Sequence, residues 1–77
     1  MTFNKHKIEL IKKAEETSEF ENDFALQRVV EILKSIDSVE MLKQEKGLID
    51  RICVDSVENL QTIDLILSFT SDYTKKK

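Results

Sequence analysis

The chain has 77 residues, too few for two hydrophobic cores, so it reads as one helical domain over residues 1–77 with a short basic tail at 74–77. It has no proline and a single glycine, Gly47, which argues against turn-rich sandwiches and barrels, while 40% hydrophobic and 35% charged residues exclude a disordered chain. A net charge of −3 speaks against a general nucleic-acid binder, and a lone cysteine, Cys53, excludes an internal disulfide. The expected fold is all-α, a small bundle of three or four short helices; the alternative is α+β with a C-terminal strand or hairpin.

A first helix is predicted over Phe3–Thr17, with Thr2 or Asn4 as its cap and Phe3, Ile8, Leu10, Ile11 and Ala14 at helical spacing. Charge is unevenly spread here. Lys5, Lys7, Lys12 and Lys13 against Glu9 give residues 1–13 a balance of +3, whereas Glu15, Glu16, Glu19, Glu21 and Asp23 give residues 14–24 a balance of −5. The lysines of this helix, Lys7 among them, are expected on a solvated face, and the only histidine, His6, falls in the first turn, where it too is expected to face solvent.

Ser18 with Glu21 matches a capping box, and Asn22 and Asp23 are further caps. Phe20 and Phe24 fall out of phase with the apolar face formed by Ala25, Leu26, Val29, Val30, Ile32, Leu33 and Ile36. The second helix therefore starts near Asp23, and Phe20 is expected to pack across the joint. Standing among acids, Phe20 is also a candidate docking point for a basic, hydrophobic partner.

Asp37-Ser38 forms the next joint, Asp37 followed by Glu40 makes a capping-box-like start, and a third helix is predicted over Val39–Lys46, ended by Gly47 in a left-handed cap with Leu48 behind it. A competing pattern is a seven-residue repeat from Val39 to Thr70, which as one rod would span roughly 48 Å. Asp55-Ser56-Val57-Glu58 is a capping-box pattern, so a fresh helix start, or a bend, is expected near Asp55.

Leu48–Phe69 is the most apolar stretch and the expected centre of packing. Its rival reading is a strand over Thr62–Thr70, where Ile63, Leu65, Leu67 and Phe69 alternate. No glycine-containing turn precedes it, which favours helix. The run Asp55-Ser56-Val57, followed by Thr62 to Leu67, loosely resembles the Asp-Ser-Leu start of the second helix in acyl carrier proteins. That resemblance implies phosphopantetheine carried on Ser56, although extra residues separate the serine from the apolar run.

No second histidine completes a metal pair with His6, the acidic run lacks the glycine of a calcium loop, and Cys53 sits among apolar neighbours. No catalytic residue, cofactor or metal site is therefore expected. No apolar run exceeds three residues, as at Leu65–Leu67, and no signal-peptide pattern opens the chain. These features predict a cytoplasmic, non-enzymatic protein that acts by helix–helix contacts with a protein partner or as a homodimer. Its expected interface is Ile63, Ile66 and Phe69, with Phe20.

Overall fold

Thr2 opens the first helix as one of the two caps the sequence offered, its hydroxyl accepting from the Lys5 amide at 3.2 Å. The helix, α1, spans Phe3–Glu15. The computed structural model describes residues 2–17, 20–56 and 59–75, and among them the chain forms three further α-helices and a 3-10 turn, Phe20–Asn22. These are α2 (Phe24–Ser35), α3 (Val39–Cys53) and α4 (Leu60–Thr74). The fold is an all-α bundle without a strand among the described residues, so Thr62–Thr70 is helical. Ser18 of the expected capping box lies outside the described residues, as do Val57 and Glu58.

The joints obey local chemistry. Asp23 caps α2, its carboxylate accepting from Leu26 N at 3.0 Å, and Ser38 caps α3 by accepting from Met41 N at 3.3 Å. Gly47 does not end a helix. It lies exposed within α3, with no positive φ, and the helix continues to Cys53. The reason is energetic: an interior glycine costs about 1 kcal/mol, whereas burying an isoleucine stabilises by about 1.5–3 kcal/mol. Continuing the helix brings Ile49, Ile52 and Cys53 into the core.

The seven-residue pattern does not build a rod either. The helix stops at Cys53, and α4 folds back onto α3 and α1. Because α2 packs on both α1 and α3, the four helices close on themselves. Leu10, Leu26, Leu33, Leu42, Ile49, Ile66 and Phe69 fill the centre. The buried side of α4 is Ile63, Ile66, Phe69 and Thr70, one stripe at helical spacing.

Two side chains expected in solvent are used internally. Lys7 is buried and its ammonium donates to the carbonyl of Ile36, the C-cap residue of α2. His6 is half-buried, its ring edge-on to Phe69 at 5.0 Å and its Nδ1 3.2 Å from the Tyr73 hydroxyl. Phe3 stacks on Phe69 at 5.6 Å, so aromatic contacts tie the start of α1 to the end of α4.

Candidate functional site

The residues expected to meet a second copy are placed differently from one another. Ile63, Ile66 and Phe69 lie in the chain's own core, with Ile66 wholly buried. These three form the core-facing stripe of α4, covered by α1 and α3, whereas Leu60 and Leu65, about 140° apart around the helix, are left 61% and 43% exposed. Phe20 is half-buried in the 3-10 turn and packs against the core, as expected of a residue closing the joint. Its carbonyl accepts from Gln27 Nε2 at 2.7 Å, fixing the turn on α2.

Phe24 is the aromatic left outside, 77% exposed. The cap at Asp23 sets the helical phase, and that phase buries Leu26, Val29, Val30 and Leu33 while turning Phe24 away from them. The signal was present in the sequence as the phase mismatch between Phe24 and the apolar face. Two shallow depressions meet at this ring. One is lined by Phe24, Ala25, Arg28 and Ile52, between α2 and α3; the other runs along α2 past Phe20, Phe24, Arg28, Glu31 and Ile32 to Leu48. Leu48 is 43% exposed, so two large apolar side chains open onto one face.

The charges on this face are mixed. Lys34 pairs with Glu15 at 2.8 Å toward the α1 side, and that contact raises the lysine pKa above its ordinary value. Arg28 and Glu31 are exposed on α2 and form no ion pair among the described residues. The Phe24 ring is thus an exposed aromatic side chain flanked on α2 by both signs of charge.

A second constellation gathers polar groups in the interior. Asp23 Oδ2 accepts from Ser56 Oγ at 2.8 Å and from Asn59 Nδ2 at 2.9 Å, while Oδ1 caps α2. Burial works to raise the Asp23 pKa, but hydrogen bonds from Leu26 N, Asn59, Ser56 and Ala25 N outweigh it and hold the carboxyl below its ordinary value. A carboxylate so occupied is a poor proton carrier; it serves as a tie between α2 and the α3–α4 link. Ser56 therefore does not cap α4, which starts only at Leu60. In an acyl carrier that serine stands free to bear its arm, whereas here it is buried with its hydroxyl committed to Asp23.

Cys53 is buried, and burial together with the nearby Asp50 carboxylate pushes its thiol pKa up to about 11, away from the thiolate form. Among the described residues His, Cys, Asp and Glu side chains form no group of three or more fit to hold a metal ion, and no helix is long and apolar enough to cross a membrane. In comparisons with protein-family models, curated proteins and solved structures, the chain has no match.

Proposed function

We propose that this chain is a non-catalytic interaction module of the cytoplasm, acting through helix–helix contacts made by the outer face of α2 and the adjoining edge of α3. The observation that carries the reading is the Phe24 ring, 77% exposed and lining the same depression as the exposed Leu48. Scattered single apolar residues are ordinary on protein surfaces, but an aromatic and an aliphatic side chain sharing one depression form the nucleus of a contact patch. The polar network around Asp23 supports the same use, because it fixes the start of α2 and so the direction in which Phe24 points.

A photo-crosslinking phenylalanine analogue placed at Phe24 tests the reading in the cell of origin. The expected result is a discrete adduct from position 24 and none from position 72, an exposed site on α4. Equal labelling from both positions, or none from either, would remove the α2 face from consideration.

A further inference from the structure

We infer that the occupant of this face is a second copy of the chain, packed α2 against α2 in antiparallel fashion about a two-fold axis. The inference rests on the α2–α3 face being the docking surface. What selects the partner is the order of residues along the exposed stripe of α2: Phe24, Arg28, Glu31 and Ser35, spaced by four, three and four positions, all of them exposed. That spacing keeps the four side chains on one line along the helix.

Turned end for end, the stripe is its own complement. When Arg28 faces the partner's Glu31, the partner's Arg28 faces Glu31, and Phe24 simultaneously meets the partner's Ser35 at both ends. A two-fold contact repeats each pairing, so one register forms two ion pairs and lays two large rings over two small side chains. Leu48 and Ile32 flank the stripe and extend the apolar area. A parallel pairing about an axis along the helices would instead set Arg28 against Arg28 and Glu31 against Glu31, which is repulsive. Within the depression along α2 the charges are balanced, Arg28 against Glu31 and Lys34 against Glu15, which suits a partner of equally mixed charge.

A single-helix contact between copies of 35 × 23 × 19 Å belongs to the small end of interface sizes, so association is sought at micromolar concentrations and above.

Charge exchange provides the test, read by sedimentation equilibrium from about 1 to about 300 μM, a span that brackets micromolar affinity. Wild type is expected to dimerise. Arg28→Glu and Glu31→Arg, each alone, should weaken self-association at least tenfold, because each faces like charges across the axis. Mixed in equal amounts the two variants should form a one-to-one heterodimer, and the double variant Arg28→Glu/Glu31→Arg should dimerise as wild type does. Both positions are exposed, so far-UV circular dichroism should be unchanged throughout. A wild-type chain that stays monomeric overturns self-pairing; a position-24 adduct with another protein would then still uphold the interaction reading. A dimer indifferent to both single substitutions overturns the α2–α2 register, and loss of the position-24 adduct overturns the docking face itself.

Discussion

Helices α2 and α4 carry comparable apolar content and put it to opposite use. In α4 Ile63, Ile66 and Phe69 point inward, Leu67 and Tyr73 pack half-buried against the core, and the exposed apolar residues, Leu60 and Leu65, are scattered. In α2 the inward face is made of Leu26, Val29, Val30 and Leu33, and the largest residue of the helix, Phe24, points outward. The contrast teaches that apolar richness alone does not mark a contact surface. The helical phase set by a cap decides which apolar side chains reach the core and which, like Phe24, are turned away from it.

The sharpest way to break this comparison is a charge in the buried stripe of α4. Ile66→Glu places a carboxylate at a wholly buried position, and an unpaired buried charge costs more than the few kcal/mol a domain of this size has in reserve. The expected outcome is loss of the helical circular dichroism signal. A folded, monomeric Ile66→Glu chain would mean that α4 is a contact face after all.

The Asp23 tie comes next in size. Asp23→Ala removes a helix cap, worth about 1 kcal/mol, and leaves the Ser56 and Asn59 donors without their acceptor, at about 1 kcal/mol or more each. The expected loss is about 3 kcal/mol in urea unfolding, against about 1 kcal/mol for Ser56→Ala, which removes a single bond. The same group sets an acid dependence. Its folded pKa lies below the ordinary 3.8, so its stabilisation is fully present above that value and is lost as pH falls through the folded pKa. Wild type should therefore lose stability more steeply than Asp23→Asn as pH drops below about 4, the ordinary carboxylate range, read as the shift of the urea midpoint. Parallel curves for the two proteins would show that Asp23 contributes nothing as a charge.

Gly47 gives a smaller effect of opposite sign. A Cβ built there meets nothing within 4 Å, and the backbone is helical, so Gly47→Ala should stabilise by about 1 kcal/mol. A destabilised Gly47→Ala chain would mean that α3 breaks at this position.

This glycine also shows where legibility stops. Caps at Thr2, Asp23 and the Asp37-Ser38 joint were readable because a side chain and an amide three residues away decide them. Gly47 and Ser56 were misread for the converse reason. Each lies in a good local signature, but burial of Ile49, Ile52 and Cys53 outweighs the first, and the long-range bond to Asp23 claims the second. The phase of α4 was illegible because apolar residues lie on several of its sides, and only packing against α1 and α3 chooses among them. His6 and Lys7 were assigned to solvent because their partners, Tyr73 and the Ile36 carbonyl, lie 67 and 29 residues away.

The smallest expected effect on stability belongs to the residue with the largest expected effect on binding. Phe24→Ser removes a ring that is 77% exposed and sits at the first position of α2. Little apolar area is re-exposed on unfolding, and serine is well tolerated near a helix start, so the urea midpoint should shift by no more than about 0.5 kcal/mol equivalent. If α2 is the outward-facing counterpart of α4, the same substitution should abolish association, because it deletes both rings of the two-fold contact at once. Surface residues of a monomer alter neither property, and core residues alter both. A Phe24→Ser chain with wild-type stability and lost association separates a contact residue from either class; one with wild-type stability and unchanged association makes Phe24 an ordinary surface side chain.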